Sequence, residues 1–156
     1  MAILNIVKEG DPVLRGKCRE VTEITPRILT LLDDMKETLH KANGCGLAAP
    51  QVGIRRRLCI VEVDEGDTIE LINPVIVKEE GHQEEVEGCL SIPDVWGYTD
   101  RPAKVTVKAL DRYGKEFTVS GDDLKARALC HEIDHLDGIL FTDKVTEYVD
   151  PSELED

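Results

Sequence analysis

The chain is short of positive charge. Its 156 residues carry 19 Lys and Arg against 32 Asp and Glu, for a formal net charge of −13 and a sequence pI near 4.7. Such a field repels phosphate backbones and anionic lipid, so neither nucleic-acid binding nor a membrane partner is expected. Long hydrophobic runs are also missing, and no stretch approaches a membrane span. The opening Met1-Ala2-Ile3-Leu4-Asn5-Ile6-Val7 lacks the basic start and long apolar region of a secretion signal. The cysteines, at 18, 45, 59, 89 and 130, are odd in number and include no C-x-x-C pair. Free thiols in a reducing cytoplasm are therefore the expectation, with Cys18 and Cys59 as small core hydrophobes. Repeats, linkers and low-complexity segments are absent as well. What remains, 41% hydrophobic and 33% charged residues, suits one domain with a sizeable core. That domain is expected over 1–145, followed by a loose, acidic, Pro-interrupted tail over 146–156.

Residues 3–7 alternate weakly and suggest an edge strand, Gly10-Asp11-Pro12 a turn, and Leu14 to Val21 a loop. Thr25 as N-cap and Pro26 at the first helical position open a helix carrying Ile28, Leu31, Leu32, Met35 and Leu39 at helical spacing. Asn43-Gly44 ends it. Leu58 to Val63 reads as a strand and Glu65-Gly66-Asp67 as a turn. Thr68 to Val77 is another strand, interrupted at Asn73-Pro74, where Pro implies an edge or a bulge. Glu79 to Glu87 is acidic and reads as an exposed hairpin or loop. Val105 and Val107 alternate ahead of a hairpin turn at Asp111–Lys115, and Phe117 and Val119 return beside them. Ser120-Gly121-Asp122-Asp123 opens a last helix, acidic at its positive end, and Gly138 stops it.

Three stretches carry chemistry. In His131-Glu132-Ile133-Asp134-His135 the two imidazoles lie about 40° apart in rotation and about 6 Å apart along a helix, close enough to hold one metal ion. Glu132 between them can serve as general base toward water at that ion. Leu124, Ala128, His131 and His135 share one stripe, so the histidines continue the inward face. The bland alternative is a packed helix that happens to hold two histidines. Gly44-Cys45-Gly46-Leu47-Ala48-Ala49-Pro50-Gln51 is either a loop lying along a substrate's extended backbone, with the Gln51 amide at its end, or a tight connection of small residues. No Lys-Ser/Thr follows, so it is not a phosphate loop. In Glu87-Gly88-Cys89-Leu90-Ser91-Ile92-Pro93, a strand would bury Leu90 and Ile92 and turn Cys89 and Ser91 to the other face, as ligand, nucleophile or packing.

A catalytic zinc-type centre takes three protein ligands and keeps one position open. The longer zinc-peptidase pattern would put a third His at 141; Gly138 is in register, but position 141 is Phe. A Glu from a following helix is not expected, because only 21 residues follow His135 and they read as disordered. Cys130 points about 100° away around the helix, which leaves Cys89 as the best-placed soft ligand.

Taken in order, Gly44–Gln51, Glu87–Ser91 and His131–Gly138 resemble the three motifs of the peptide deformylases, within a similarity running from residue 3 to residue 145. One departure is Cys130, where the family often has Gln. The resemblance implies removal of the formyl group from N-formylmethionine on polypeptides emerging from the ribosome. It implies Cys89, His131 and His135 as metal ligands and Glu132 as the proton carrier. Gln51 and the Leu90 N–H would stabilise the oxyanion. The Gly44-Cys45-Gly46 backbone would take the substrate as an added strand, and Leu124 and Ala128 would line the methionine pocket. Glu87 would pair with Arg101, and Asp134 would orient a ligand or cap local backbone. The implied ion is Fe(II), with Zn, Ni or Co as alternatives in purified protein. The implied fold is α+β, with antiparallel sheets packed around the central metal-binding helix and the 26–42 helix outside. A general zinc peptidase and a purely structural metal site are the competing readings.

Overall fold

The computed structural model describes residues 2–150 and Ser152. Its first helix, α1 (Pro26–Ala42), begins and ends on local signals. The Thr25 side chain accepts the Ile28 N–H, Pro26 occupies the first turn, and Asn43 closes the helix in the left-handed region at φ 56°. Leu32, Met35 and Leu39 are fully buried on its inner face. Each contributes about 1.5–3 kcal/mol relative to an exposed position.

Two antiparallel sheets follow. The first runs β1 (Gly46–Ala48), β2 (Leu58–Val61), β3 (Ile69–Glu80), β6 (Lys104–Leu110) and β7 (Glu116–Asp122), in that spatial order. The second runs β4 (Gln83–Cys89), β5 (Ile92–Arg101) and β8 (Val145–Val149). The second helix, α2 (Asp123–Leu136), packs against β1, β2, β6 and β7 of the first sheet and against β5 of the second. This is the expected α+β arrangement around the histidine-bearing helix.

The period of two in a strand explains why β2 is apolar throughout. Cys59 and Val61 enter the core shared with α2, together with Ala48, Leu71 and Leu129. Leu58 and Ile60 face the opposite way and join Leu47, Ile72 and the apolar stripe of α1. This part of the sheet is therefore covered by a helix on each face, with α1 outermost.

The interruption at Asn73-Pro74 is a register shift between Ile72 and Val75. Asn73 adopts φ 52°, and its side-chain amide both donates to and accepts from the Val21 backbone, at 2.8 Å each. The hairpin at Asp111–Lys115 forms as expected, with an Asp111 carboxylate oxygen accepting the Tyr113 and Lys115 N–H groups.

Several expectations fail. Residues 3–7 join no sheet; Leu4 donates to Thr38 Oγ1 and Val7 to the Gln51 carbonyl instead. The 14–21 loop begins inside a 3-10 turn, Pro12–Arg15, capped by Asp11. Glu79 to Glu87 is neither loop nor hairpin. β3 and β4 pair with different partners, so the chain passes there from one sheet to the other. The strand expected through Cys89 and Ile92 reverses at Leu90-Ser91, with Cys89 opposite Ile92. Ser120 to Asp122 belong to β7 rather than to the start of α2, which begins at Asp123. Finally, the loose tail expected over 146–156 contains most of β8, which is hydrogen-bonded along β5 from Thr99 to Trp96. Residues 151 and 153–156 of that tail lie outside the described residues.

Candidate metal centre and cleft

α2 supplies His131 and His135 from successive turns, and the end of β4 supplies Cys89. The Cys89 Sγ lies 3.4 Å from His135 Nε2, which lies 3.2 Å from His131 Nε2. All three ligand atoms fall within 4.8 Å of one another. Among the described residues no other group of three such side chains converges in this way. Three acceptor atoms turned on one point suit a borderline-soft divalent cation, and the donor set of one thiolate and two imidazoles leaves room for a further ligand.

Phe141 provides no third imidazole. Its buried ring stacks on His131 with centroids 6.0 Å apart. Cys130, beside His131 in sequence, points into the apolar core, and burial pushes its thiol up to about 11. An inert thiol results, packed as expected for Cys18 and Cys59, which enter the same core.

The orientation of His131 is set from behind. Its Nδ1 donates to Glu87 Oε2 at 2.7 Å, which turns Nε2 toward Cys89 and His135. Glu87 is itself held by Arg101, through Nε at 3.2 Å and Nη2 at 2.7 Å, and by Thr99 Oγ1 at 3.0 Å. Burial opposes its ionisation, but the bonds from His131 and Arg101 outweigh it and hold the carboxyl down at about 2. Arg101 reaches across to Asp134 at 2.6 Å, and Lys144 also pairs with Asp134. The expected Glu87–Arg101 pair is thus present. Asp134 touches neither histidine; its carboxylate anchors Arg101.

Glu132 faces the cleft wall. It is 4% exposed, and its Oε1 has no hydrogen-bond partner. Burial pushes its carboxyl up to about 7, against the attraction of His131. A carboxylate poised there can both take and return a proton near neutral pH. Gly46 makes room for it: a Cβ at Gly46 would stand 2.6 Å from Glu132 Oε2. Gly44 similarly admits Leu90, whose Cδ1 would lie 2.9 Å from an added Cβ.

The Gln51 amide is locked at both ends. Its Oε1 accepts the Ala48 N–H at 2.9 Å, and its Nε2 donates to Ser91 Oγ at 3.1 Å and toward Cys89 Sγ at 3.6 Å. The amide therefore presents N–H groups, not oxygen, to the centre.

A cleft of about 620 Å³ opens over these groups. Gly44, Cys45, Gly46, Gln51, Leu124 and Ala128 line it, as do Cys89, Leu90, His131 and Glu132. Of the residues singled out from sequence, His135, Arg101 and Asp134 lie behind this wall. Sequence reasoning missed Thr99 and Trp96, and it placed Ser91 on the face of Cys89 without finding its bond to Gln51. Ser91 and Thr99 act through partners distant in sequence, which no local pattern reports. Trp96 is the chain's one tryptophan, five residues past a motif; it lines the cleft, packed on Gly88 where a Cβ would meet its ring at 2.3 Å.

A family model described as polypeptide deformylase matches residues 3–150. A peptide deformylase of Caldanaerobacter subterraneus subsp. tengcongensis is 59% identical, over 99% of this chain and 97% of its own length. One from Acetivibrio thermocellus is 56% identical, over 99% of this chain and 91% of its own. Among solved structures, a Legionella pneumophila peptide deformylase superposes with a TM-score of 0.90 at 42% identity, covering 92% of this chain and 86% of that one. A Synechococcus elongatus peptide deformylase in complex with actinonin gives 0.89 at 39% identity, covering 92% and 79%. Family match, relatives and solved structures agree with the three motifs and the cluster they build: the chain belongs to the polypeptide deformylase family.

Proposed function

We propose that the protein removes the formyl group from N-formylmethionine at the start of new polypeptides in the cytoplasm, releasing formate. The observation that carries this reading is the partnerless carboxylate oxygen of Glu132, buried in the cleft wall beside the Cys89, His131 and His135 cluster. A divalent ion held by those three residues would act as a Lewis acid and make water a better nucleophile at neutral pH. Fe(II) is the physiological ion on this reading, while Zn, Ni and Co suit the same donors.

The chain's own groups do the rest. Glu132 takes a proton from the attacking water as its oxygen bonds to the formyl carbon. As the carbon–nitrogen bond breaks, Glu132 returns that proton to the leaving amine. The formyl oxygen gains charge during attack, and the Gln51 Nε2–H and the Leu90 backbone N–H stabilise it. Because Ser91 and Ala48 fix the Gln51 amide beforehand, little reorganisation accompanies the step. The Gly44-Cys45-Gly46 backbone takes the peptide as an extra strand, and Leu124 and Ala128 contact the methionine side chain. Glu87, anchored by Arg101 and Asp134, keeps His131 turned toward the ion.

Replacing the base tests the reading. Glu132→Ala and Glu132→Gln are expected to bind metal at the wild-type ratio while turnover falls at least about 100-fold. Glu132→Gln also removes a costly buried carboxylate, so its melting temperature is expected to equal or exceed that of wild type. Turnover retained in either variant would assign the base to another residue.

A further inference from the structure

We propose that the segment Val7–Glu9, which leads into the turn at Gly10, is a strap that holds the two oxyanion-stabilising loops in register, with the backbone N–H groups of Val7 and Glu9 as its positioning groups. The proposal rests on the deformylase reading for its kinetic test and on geometry alone for its structural one. The two loops belong to different sheets. Gln51 lies in the 3-10 turn Ala49–Val52 that follows β1, whereas Leu90-Ser91 form the reversal between β4 and β5. Their relative position determines whether the Gln51 amide and the Leu90 N–H converge on one oxygen atom.

The strap spans that gap. Val7 N–H donates to the Gln51 carbonyl at 2.7 Å, and two residues on Glu9 N–H donates to the Ser91 carbonyl at 2.8 Å. Between them the Lys8 ammonium donates to the Leu90 carbonyl at 3.3 Å. The Ser91 hydroxyl, carried on the backbone that Glu9 holds, accepts from Gln51 Nε2 at 3.1 Å. Gln51 is thus tied to the strap through its own carbonyl and, by way of Ser91, through its side chain.

The strap is fixed at both ends. Upstream, Ala2 N–H donates to Asp34 Oδ1 at 2.7 Å and Leu4 N–H to Thr38 Oγ1 at 2.8 Å, both on α1. Downstream, the Asp11 N–H returns to the Lys8 carbonyl at 3.2 Å. Gly10 at the third position of that turn has φ 105°, whereas Glu9 at the second does not have positive φ. One positive φ at the third position defines a type II turn, in which proline is favoured at the second position. Proline at residue 9 therefore fits the turn and removes, besides the carboxylate, the N–H that reaches Ser91.

The experiment compares Glu9→Pro with Glu9→Ala, which loses the same carboxylate but keeps the N–H. The readouts are kcat, KM, bound metal and melting temperature on a formyl-Met peptide. An oxyanion exists only past the ground state, so Glu9→Pro is expected to show kcat lower than Glu9→Ala by about 3- to 10-fold, with KM and metal content matched. In crystals of Glu9→Pro, the Gln51 Nε2–Ser91 Oγ separation is expected to open beyond about 3.5 Å. Equal kcat in the two variants, or a retained Gln51–Ser91 bond, overturns the strap. Should Glu9→Pro fail to fold, an ester in place of the Lys8–Glu9 amide removes the same N–H with no change of side chain. Its kcat is then expected to fall by about 3- to 10-fold against wild type, and an unchanged value overturns the proposal. Failure of the deformylase reading shows differently, as absence of formate from wild type, and leaves the crystallographic comparison to decide the strap.

Discussion

Arg101 offers the sharpest test of how the centre is supported. Its side chain is 2% exposed and spans two carboxylates, Glu87 at 2.7 Å and Asp134 at 2.6 Å. Arg101→Met keeps much of the aliphatic volume and removes the charge. Lys144 still screens Asp134 at 3.1 Å, but Glu87, 8% exposed, loses its only arginine. Removing one partner of a buried ion pair costs about 3–5 kcal/mol. At this chain length each kcal/mol moves the melting temperature by about 2–4 °C, so a fall of about 6–20 °C is expected. The pH dependence carries a second signature. Glu87 titrates at about 2 in the folded protein, below the ordinary 4.5. Its ionisation therefore stabilises the fold fully above the ordinary value, and that stability is lost as pH falls toward about 2. Without Arg101 the folded value rises toward the ordinary one, so acid unfolding is expected to begin at higher pH. The assay is thermal and urea unfolding of metal-free protein across pH 3–7, so that loss of the ion in acid does not enter the comparison. Lys108→Ala serves as the control, since its pair with Glu116 is half-exposed and is expected to change stability by no more than about 0.5 kcal/mol. A fall below about 3 °C in Arg101→Met, with an unshifted acid limb, would refute the reasoning.

Two further outcomes concern the reaction. Gly46→Ala would set a methyl group 2.6 Å from Glu132 Oε2 and swing the carboxylate away. Formate release is expected to fall about 10- to 100-fold, and the melting temperature by about 2–12 °C, because the buried Glu132 Cγ, 2.8 Å from the added Cβ, must move as well and such overpacking costs about 1–3 kcal/mol; unchanged kcat would show that Glu132 has slack to spare. Protein loaded anaerobically with Fe(II) is expected to lose activity in air, while Ni(II)- or Co(II)-loaded protein keeps it. Equal air stability of all three forms would count against iron as the native ion.

The parts of the fold that could be read in the sequence are those set by near neighbours. Thr25, Pro26 and Asn43 bound α1 within a few residues of where their signals lie, and Asp111 closes its own hairpin. The His131/His135 pair is a property of helical pitch alone. β4 was not readable, because Glu84 and Glu85 are exposed on an edge strand of the second sheet and resemble loop residues until β5 is beside them. β8 is short and mostly exposed, and only its pairing with Tyr98 and its neighbours makes it a strand. The reversal at Leu90-Ser91 and the course of residues 3–7 outside any sheet share that cause, since both are fixed by backbone bonds to distant segments. At the site, Cys89 was reachable by elimination of other ligands, whereas Ser91 and Thr99 work through contacts that no spacing encodes.

The central claim is that this cleft hydrolyses a formyl amide and spares ordinary peptide bonds. The most direct test is formate release from a short formyl-Met peptide by protein purified anaerobically with Fe(II), beside the same peptide lacking the formyl group. Formate from the first peptide, with no backbone cleavage of either, is the expected result. No formate from metal-loaded protein, or cleavage within the unformylated peptide, would contradict the account and return the site to a structural role or a general peptidase.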